Sequence, residues 1–483
     1  MNKRSYITTA IPYVNAAPHL GFALELVQAD AIARRHRAAG RKVRLQTGTD
    51  ENALKNVEAA RAAGVETNSW VDARAAQFHQ LADELDVGYD RFLRTTEIAH
   101  LRGVHQFWQA LRPEDIIRKS YTGLYCSGCE DFLFPKDLLD GKCPDHRIAP
   151  VEVAESNYFF RLSSYQEALE DWISSGAVVI RPESRRNEIL AFVRAGLQDI
   201  SISRPSTRSG GWGIPVPGDH SQVVYVWIDA LINYLSGLGY GTDETWREWW
   251  NEDTRKIHVI GKNVWKFHAV YWPALLLSAG LPLPDELSIH GFVTVDGRKI
   301  SKSLGNAIGA DDLIRSYGTD AVRYFLLGAV PQFGDSDFTA ERFAATYQAD
   351  LANGLGNLVS RLLTLAVRCG LESLPVVSEA TLGSTISELE HPHDEALARI
   401  WSAIDTLNGE LEAVKPWQAI RKGDALKVRG RIAAWLVSLA GITREIEPFL
   451  PATSQAVRAC LTALPIRPVA PLFPRIVLPL SSH

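Results

Sequence analysis

Residues 6–47 read YITTAIPYVNAAPHLGFALELVQADAIARRHRAAGRKVRLQT, and the hydrophobic pattern changes twice along them. The β-branched segment 6–11 predicts a strand, and after a turn-rich stretch the apolar residues of 20–38 recur at helical spacing. A second strand is predicted at 43–47. Strand, helix and strand in this order indicate a doubly wound parallel sheet, in which ligands bind beyond the carboxyl ends of the strands. We therefore expect a ligand close to His19, which lies in the turn before the helix.

The rest of the chain predicts further parts with different patterns. Residues 1–115 and 223–339 have the alternation of strands and helices expected of two halves of one α/β sheet. Between them, 116–222 has short segments and many turn residues and is predicted to be an insertion. Strand character is predicted to resume at 223–228. In 340–483, apolar residues stand three and four apart, which predicts a separate helical domain.

The composition is that of an ordinary globular protein, with 46% apolar and 22% charged residues in a chain of 483. The formal net charge is −5, from 51 basic and 56 acidic residues. No overall positive field therefore attracts a polyanion, and any nucleic-acid site must be local. The longest uncharged apolar stretch, Ala269–Pro284, is shorter than the roughly 20 residues that a membrane-spanning helix needs. We expect a cytoplasmic protein that does not enter a membrane.

A group of metal-ligand residues lies inside the predicted insertion. Cys126, Cys129, Cys143 and His146 have the spacing C-x2-C-x13-C-x2-H. Two turn-forming pairs at about this separation close four ligands tetrahedrally around zinc and leave no open coordination position, so the metal would be structural. Asp145 is an alternative fourth ligand. A set of unrelated thiols is the alternative to any metal site.

Two short motifs contain residue types that bind nucleotide phosphates. Pro18–Phe22 opens the predicted helix, and Lys299–Ser303 follows a predicted strand near the end of the sheet. A helix amino terminus provides unpaired N–H groups, Gly21 permits close approach of a ligand to the backbone, and lysines neutralise pyrophosphate. Neither motif is a Walker loop or a G-x-G-x-x-G fingerprint. Each alone is equally typical of a helix cap or a solvated loop.

In this order, and with the insertion between them, the two motifs resemble those of the class I aminoacyl-tRNA synthetases, most closely the methionyl-tRNA synthetase family. The resemblance extends over most of the chain. Besides the two motifs and the cysteine group, the segments that carry it are 10–15, 48–51, 202–204, 212–219, 225–234, 258–262, 267–268 and 350–353. It implies a Rossmann-like doubly wound sheet, a zinc-containing insertion and a C-terminal all-α anticodon-binding domain.

The resemblance also implies an activity: ATP with Mg²⁺ activates methionine as its adenylate, and the methionyl group then moves to methionine tRNA. The implied catalytic residues are His19, Lys299, Lys302 and Arg204. The two lysines would stabilise the leaving pyrophosphate, and the arginine would lie near the adenylate. The implied ATP-binding residues are His19, Gly21, Phe22, Gly261, Asn263, Lys299 and Lys302.

For the amino acid, the resemblance implies a pocket with aromatic walls, which suits a flexible thioether. Its residues would be Ile11, Tyr13, Asp50, Trp227, Ala230, Leu231, Tyr234, Val264, His268 and Trp272. Within this set, Asp50 would hold the ammonium group. Taken one by one, the apolar and aromatic residues are equally typical of a buried core.

The predicted helical domain contains a local basic segment. Residues 415–431 have six basic side chains and one acidic side chain, and Trp417 lies among them. Cations that track phosphates beside a ring that stacks an unpaired base are typical of RNA-binding surfaces. The alternative is an amphipathic helix with a solvated basic face. The residues that the resemblance implies for reading the anticodon are Asn357, Arg361, Pro416 and Trp417.

Some positions depart from the family pattern. The first nucleotide motif of the family ends in histidine, whereas this chain has Phe22, which has no side-chain donor. Loss of such a donor typically costs about 2.7 to 4 kcal/mol in the transition state. Asn52-Ala53 replaces a His-Gly pair after Gly-Thr-Asp-Glu, Asn263 replaces an aspartate near the ribose, and Glu410 replaces a tyrosine.

Two hypotheses follow from the sequence. The first is a methionine–tRNA ligase that tolerates Phe22, and the second is a paralogue that transfers an activated amino acid to an acceptor other than tRNA in a biosynthetic pathway. The anticodon features Asn357, Arg361 and Trp417 favour the first. A third, an inactive RNA-binding protein, would leave the two loop lysines without a role. Since no tRNA-binding or dimerisation module follows the helical domain, we expect a monomer.

Overall fold

A computed structural model describes most of the chain. The described residues are 4–126, 131–133, 135, 138–144, 147–295, 298–299, 309–374, 391–468 and 470–475. The strands among them are β1 (Arg4–Thr9), β2 (Lys42–Thr49), β3 (Arg91–Arg94), β4 (Ile116–Cys126), β5 (Asp131–Leu133), β6 (Val151–Phe160), β7 (Val179–Arg181), β8 (Ile200–Ser201), β9 (Ser203–Pro205), β10 (Pro215–Val216), β11 (Asp219–Val224), β12 (Thr254–Gly261), β13 (Glu286–His290), β14 (Val293–Val295), β15 (Arg298–Lys299) and β16 (Ser336–Phe338).

The α-helices of the same residues are α1 (Leu20–Ala38), α2 (Leu54–Ala63), α3 (Thr67–Glu84), α4 (Ile98–Ala110), α5 (Gln166–Ser174), α6 (Glu183–Arg194), α7 (Val226–Ser236), α8 (Trp246–Trp249), α9 (Trp272–Ser278), α10 (Ala310–Tyr317), α11 (Thr319–Tyr324), α12 (Ala340–Thr346), α13 (Asn357–Arg368), α14 (His393–Val414), α15 (Pro416–Arg421), α16 (Ala425–Ile446) and α17 (Pro451–Leu461). Wider, π-helical segments are Phe267–Tyr271, Phe325–Ala329 and Tyr347–Gly356. In the part of the chain that the structure describes, no helix combines the length and the hydropathy needed to cross a membrane.

Packing divides the chain into two compact units. The first unit consists of residues 1–17, 46–79 and 90–289, and the second unit of residues 18–45, 80–89 and 290–483.

The first unit is built on a six-stranded sheet in the order β3-β2-β1-β12-β13-β7. The pairs β1 with β12, β2 with β3, and β13 with β7 are parallel, as the sequence predicts. The chain continues from β1 to β2 on one side, whereas β12 pairs with the other side of β1. The strand order therefore reverses between β1 and β12, and ligands of doubly wound sheets bind at such a switch point. The segments that follow β1, β2 and β12 are thus the expected place for a site.

Buried polar side chains join the central strands of this sheet. The hydroxyl of Tyr6 donates to the side-chain oxygen of Gln46 at 2.8 Å, and the hydroxyls of Thr9 and Thr47 are 2.8 Å apart. The hydroxyl of Thr8 is 2.6 Å from Nδ1 of His258. These side chains are all nearly inaccessible to solvent. Because buried polar groups must find partners, the polar residues of β1 help to specify which strands lie beside it.

The predicted insertion contains two antiparallel sheets within the first unit. One has the order β5-β4-β6-β8, and its long β4–β6 pairing extends from Ile116 opposite Phe160 to Tyr125 opposite Val151. The other has the order β10-β11-β9. Short antiparallel strands joined by turns agree with the many turn residues of this region.

The predicted strand at 223–228 is wrong beyond Val224. Strand β11 ends there, and helix α7 begins at Val226. Ten of the eleven residues of α7 are buried, so an apolar run that resembles a buried strand belongs to a helix covered on nearly all sides. A short apolar run does not distinguish these two cases by periodicity.

The second unit begins with α1, whose observed bounds of 20–38 confirm the predicted helix. It also contains a small sheet in the order β15-β14-β16 and the helices from α10 to α17. The predicted helical character of the C-terminal region is confirmed. Inside this unit, Arg323 of α11 donates to Asp30 of α1 at 2.7 Å, and both side chains are fully buried.

The guanidinium of Arg323 has further partners in the same unit. It donates to the carbonyl oxygens of Leu85, Phe449 and Pro448 at 3.0, 2.8 and 3.2 Å. Arg34 and the backbone N–H of Gly88 also donate to the Asp30 carboxylate. A buried charge pair in which each guanidinium nitrogen is hydrogen-bonded ties α1 to the turn between α16 and α17.

Candidate active site

Asp50 stands directly after β2 in the first unit. Its backbone N–H donates to the carbonyl of Pro12 at 2.8 Å, and Tyr13 and Asp50 form a parallel bridge just beyond β1 and β2. Gly48 lies so close to β3 that a Cβ at this position would be 2.0 Å from the carbonyl oxygen of Leu93. A side chain there would push the strands apart. The fully buried Asp50 carboxylate is thus held at the carboxyl ends of neighbouring strands.

The adjacent carboxylate of Glu51 has other partners. It accepts hydrogen bonds from Nε and Nη2 of Arg94 at 2.7 and 2.9 Å and from the hydroxyl of Thr49 at 2.7 Å. Hydrogen bonding to Glu51 is the largest influence that raises the pKa of Arg94 above its ordinary value. Glu51 is therefore a structural group. Of the two neighbouring acids, Asp50 is the candidate for binding a cationic group of a ligand.

Helix α7 contributes four of the predicted pocket residues. Trp227, Ala230, Leu231 and Tyr234 have the spacing i, i+3, i+4 and i+7, which places them on one face of a helix. The Trp227 ring stacks on Phe267 with 4.0 Å between centroids and an interplanar angle of 7°, and its centroid is 5.6 Å from that of Tyr13. The structure therefore brings Tyr13 and the α7 face together.

Tyr234 and His268 are polar members of the predicted pocket. The Tyr234 hydroxyl is 2.6 Å from Nε2 of His268, and Nδ1 of His268 is 2.9 Å from the carbonyl oxygen of Val264. A carbonyl only accepts, so Nδ1 carries the proton and Nε2 accepts from the tyrosine. Burial lowers the pKa of His268 to about 4. The imidazole is neutral at pH 7, and the pocket suits an uncharged side chain.

The remaining pocket residues also lie in the first unit. The Trp272 ring centroid is 6.1 Å from that of Tyr234, and the Trp272 side chain is fully buried. Ile11 follows β1 and Val264 follows β12, so both come from segments at the switch point, and both are buried.

Arg204 on β9 is buried, and its guanidinium stacks on the Tyr225 ring at 3.9 Å. Nη1 donates to the hydroxyl of Ser201 and to the carbonyl of Ser203, both at 2.9 Å. Together with Asn52, the arginine and this ring line a cavity of about 40 Å³. The other lining residues are Leu54, Tyr125, Pro205, Arg208, Ser209, Trp212, Gly213, Val223, Val224 and Val226.

Among the cavity residues that were not predicted as site residues, Trp212 and Asn52 contact the segment around Asp50. Trp212 donates from Nε1 to the carbonyl of Glu51 at 2.9 Å, so it holds the backbone beside Asp50. Asn52 donates from its backbone N–H to Oδ1 of Asp50 at 3.3 Å. The position of Asn52 next to the acidic pair was visible in the sequence, but the contacts of Asn52 and Trp212 were not.

His19 is the N-cap of α1 in the second unit. Its backbone is extended, and its Nδ1 accepts from the backbone N–H of Gly21 at 3.1 Å. A Cβ at Gly21 would lie 2.9 Å from Cε1 of His19, so a larger residue would displace the imidazole. The carbonyl of His19 accepts from the N–H groups of Phe22 and Ala23. The first turn thus presents a histidine side chain at a helix amino terminus, where phosphates bind well.

The other predicted nucleotide residues have varied positions. Phe22 is buried, with 5% of its surface exposed, and Gly261 is the last residue of β12. Asn263, two residues later, is exposed. The backbone of Lys299 pairs with Thr294 as part of β15, and Lys302 lies outside the described residues.

The predicted anticodon residues lie on two helices of the second unit. Asn357 begins α13, and Arg361 is one turn later on the same face. The Arg361 guanidinium is 4.8 Å from the centroid of the Trp417 ring, and its Nη2 is 2.8 Å from a carboxylate oxygen of Glu412. Pro416, at the start of α15, is buried. The structure therefore brings a cation and an indole together near the basic segment.

Comparisons with known proteins identify the family of this chain. A family model described as tRNA synthetases class I (M) matches residues 5–152 and 136–363. Methionine–tRNA ligases of Thermosynechococcus vestitus and Streptomyces coelicolor are 38% and 36% identical to this chain over 95% and 96% of its length, and each match covers 90% of the relative. A Mycobacterium tuberculosis methionyl-tRNA synthetase, solved in complex with methionyl-adenylate, is 34% identical with a TM-score of 0.88, covering 98% of this chain and 100% of that chain.

The chain belongs to the class I methionyl-tRNA synthetase family. The structure shows a hydrogen-bond partner for some of the residues that depart from the family pattern. Glu410, in place of a tyrosine, accepts from Nε1 of Trp435 at 2.6 Å. Asn52, in place of a histidine, donates to Asp229 at 2.7 Å. Nothing in the structure explains why Phe22 stands where the family has a histidine.

The zinc ligands predicted for this synthetase are described only in part. Cys126 and Cys143 are both fully buried, whereas Cys129, His146 and the alternative ligand Asp145 lie outside the described residues. The N–H of Arg147 donates to the carbonyl of Cys143 at 2.8 Å. Within the described ranges, no group of three histidine, cysteine, aspartate or glutamate side chains is arranged to hold a metal ion.

Proposed function

We propose that this chain is a methionine–tRNA ligase that activates methionine with ATP and transfers it to methionine tRNA. The observation that carries the proposal is the position of Asp50 beside Tyr13, whose ring contacts Trp227 of α7, the helix that also contains Tyr234. A buried carboxylate pairs with an ammonium group, and aromatic rings around a hydroxyl favour a thioether over a charged side chain. Membership of the methionyl-tRNA synthetase family supports the same assignment.

The proposed reaction has two steps. A carboxylate oxygen of methionine attacks the α-phosphorus of ATP, the bond from that phosphorus to the bridging oxygen breaks, and pyrophosphate leaves. A hydroxyl of the terminal tRNA ribose then attacks the carbonyl carbon of the adenylate, and AMP leaves. Mg²⁺, which enters with ATP, neutralises part of the phosphate charge. Asp50 holds the ammonium group throughout, so that the carboxylate of methionine is oriented for attack.

The remaining residue roles are part of the proposal. His19 contacts the phosphates at the start of α1, where the N–H groups of the first turn favour negative charge. Lys299 and Lys302 stabilise the leaving pyrophosphate, and Arg204 contacts the adenylate. Gly261 and Asn263 bind the nucleoside. The proposed domains are a catalytic sheet at 1–115 and 223–339, a connective insertion at 116–222 and an anticodon-binding domain at 340–483.

The structural zinc site remains part of the same proposal. Two buried thiols at Cys126 and Cys143 suit a soft-ligand site. With Cys129 and His146, these residues would bind one zinc ion that stabilises the insertion. Metal analysis should find one zinc per chain, and a Cys126→Ser variant should lose it. A protein free of zinc after gentle purification would contradict this part.

For tRNA recognition, we propose that Asn357, Arg361, Pro416 and Trp417 contact the anticodon. The stacked guanidinium and indole support this, since both planar groups stack readily on unpaired bases. A cytoplasmic location and a monomeric state belong to the same proposal, and sedimentation would check the second.

A paralogue that serves an acceptor other than tRNA is the second candidate, because Phe22 provides no hydrogen-bond donor where the family has a histidine. Exchange of labelled pyrophosphate into ATP, measured with a panel of amino acids, tests both candidates. We expect exchange with methionine and charging of initiator and elongator methionine tRNA. Exchange without charging would favour the paralogue, and the absence of exchange with every amino acid would contradict both.

A further inference from the structure

Asp229 on α7 belongs to a series of hydrogen-bonded polar side chains. Its Oδ1 is 2.6 Å from Nε2 of His100 on α4, and its Oδ2 accepts from Nδ2 of Asn52 at 2.7 Å. Nδ1 of His100 is in turn 2.7 Å from the hydroxyl of Ser236. Asp229 and His100 are completely buried, and Ser236 is 5% exposed. None of these contacts belongs to the reaction described above.

Asn52 connects this series to the ammonium-binding carboxylate. Its backbone N–H donates to Oδ1 of Asp50 at 3.3 Å, while its side-chain amide donates both to Asp229 and to the carbonyl oxygen of Thr95 at 3.2 Å. The amide nitrogen has only two hydrogens, so both are used. Asn52 cannot rotate without breaking a hydrogen bond to a buried carboxylate, and this fixes its backbone N–H next to Asp50.

The other end of the series is the helix that forms the pocket. Asp229 lies on α7 between Trp227 and Ala230, two residues of the pocket face, and its contact with His100 attaches α7 to α4. The hydrogen bond from Asn52 to Asp229 therefore connects the segment next to Asp50, the proposed ammonium ligand, to α7, the helix that would contact the methionine side chain. A ligand anchored at both ends is sensitive to this spacing, because a shift of about an ångström weakens one anchor or the other.

We propose that Asn52 and Asp229 are positioning residues for the amino-acid substrate, holding Asp50 in register with the pocket face of α7. The inference rests on the proposed function, since it takes methionine as the ligand. It assigns a role to the asparagine that replaces a family histidine: the amide remains a neutral donor to Asp229 at every pH, with its second hydrogen held by Thr95.

The first test is the steady-state kinetics of pyrophosphate exchange for Asn52→Ala. We expect the KM for methionine to rise about tenfold, the KM for ATP to change less than twofold and kcat to change less than threefold, because the lost interaction acts on one substrate. Asn52→His restores the family residue and should keep the KM for methionine within threefold of the original. An equal rise in the KM for methionine and the KM for ATP, or no rise in either, would overturn the proposal.

A matched control separates positioning from general stability. Asn157 is completely buried, and its amide donates to the Glu155 carboxylate at 3.0 Å, but among the described residues neither side chain has a hydrogen bond to Asp50 or to α7. Asn157→Ala and Asn52→Ala should both lower the melting temperature, but Asn157→Ala should leave the KM for methionine unchanged. If both variants raise the KM for methionine equally, the role of Asn52 is only structural.

The second test uses two inhibitors that differ in the group that Asp50 binds. Methioninol keeps the ammonium group and the thioether, whereas 4-(methylthio)butanoate keeps the thioether and lacks the ammonium group. Asn52→Ala should raise the inhibition constant of methioninol about tenfold and that of the butanoate less than twofold. Equal changes would show that Asn52 does not act through Asp50. If the unsubstituted enzyme shows no pyrophosphate exchange with methionine, the proposed function is contradicted instead. Failure of the positioning proposal and failure of the proposed function are therefore distinguishable.

Discussion

Both units bury polar groups, but the amino-acid pocket of the first unit buries neutral ones, while the centre of the second unit buries charges. In the pocket, burial holds the pKa of His268 at about 4, and the imidazole, the Tyr234 hydroxyl and the Val264 carbonyl complete one another's hydrogen bonds. In the second unit, the charged Arg323 and Asp30 are both fully buried and directly paired. A binding pocket must remain available to a ligand, whereas a structural ion pair needs its partner permanently.

Asp50 is the charged residue among the neutral groups of the predicted pocket. Removal of its charge should have the largest effect of the changes considered. Asp50→Asn keeps the size of the side chain but leaves a ligand ammonium without a counter-charge. We expect kcat/KM for methionine in pyrophosphate exchange to fall at least a hundredfold. Asp72→Asn, which changes an acid that is 65% exposed, should reduce it less than threefold. Similar losses in both variants would remove Asp50 from its proposed role.

The buried ion pair of the second unit should dominate stability. Arg323→Met removes one of the two arginines that pair with the buried Asp30. Loss of one partner of a buried pair typically costs about 3 to 5 kcal/mol of the free energy of unfolding, and the remaining bond to Arg34 should keep the loss at the lower end. Denaturant unfolding followed by circular dichroism would measure this. The double variant Asp30→Asn, Arg323→Met should recover part of the loss, because the buried carboxylate that has lost one of its arginines is then absent.

An exposed ion pair of the same unit provides the control for that measurement. Arg315 pairs with Asp311 and Asp312 on the solvent side of α10. Arg315→Met should leave the unfolding transition unchanged within error. A loss as large as that of Arg323→Met would show that burial is not the reason for the difference.

The paired Arg361 and Trp417 of the second unit test the proposed anticodon contact, in which the guanidinium and the indole ring both meet the ligand. Stacking of one base on an aromatic ring contributes about 1 to 3 kcal/mol. Trp417→Ala should therefore raise the KM for methionine tRNA about tenfold or more, with pyrophosphate exchange unchanged. Trp70→Ala, which removes a ring from the first unit, is the matched control for tRNA binding, and an equal effect there would contradict the assignment.

Acid provides the smallest test, since burial lowers the pKa of His258 and His268 in the first unit and of His393 in the second. Burial lowers the pKa of His268 to about 4 and that of His393 to about 3, against an ordinary value of 6.5. Below pH 6.5 the unfolded chain binds protons that the folded chain refuses, so stability is complete above that pH and decreases as the pH falls towards 4. Each histidine contributes about 1.4 kcal/mol per pH unit in this range.

Variants would divide this slope between the units. His393→Leu should remove about one histidine's share of the dependence of unfolding free energy on pH between 6 and 4. His220→Ala changes an exposed imidazole and should leave the slope as it is. A slope that does not respond to His393→Leu would mean that other groups cause the acid sensitivity.

Local sequence signals predicted some elements well and failed at others for identifiable reasons. Helix α1 was predicted with its observed bounds, because turn residues precede it and glycine follows it. Helix α7 was predicted in part as a strand, because it is buried on nearly every side and its sequence has little amphipathic contrast. The family resemblance groups four residues of that helix, and their i, i+3, i+4 and i+7 spacing places them on one face of it.

The sequence by itself determined the order of strands and helices, the parallel sheet, the two nucleotide motifs and the residues grouped as an amino-acid pocket, since these depend on local pattern and on motifs that are contiguous in the chain. Only the tertiary structure decided that Asn52 contacts Asp229, 177 positions away, that Glu51 is occupied by Arg94, and that His268 is neutral. Partners and charge states depend on which distant groups exclude water from a side chain, and no local pattern contains that information.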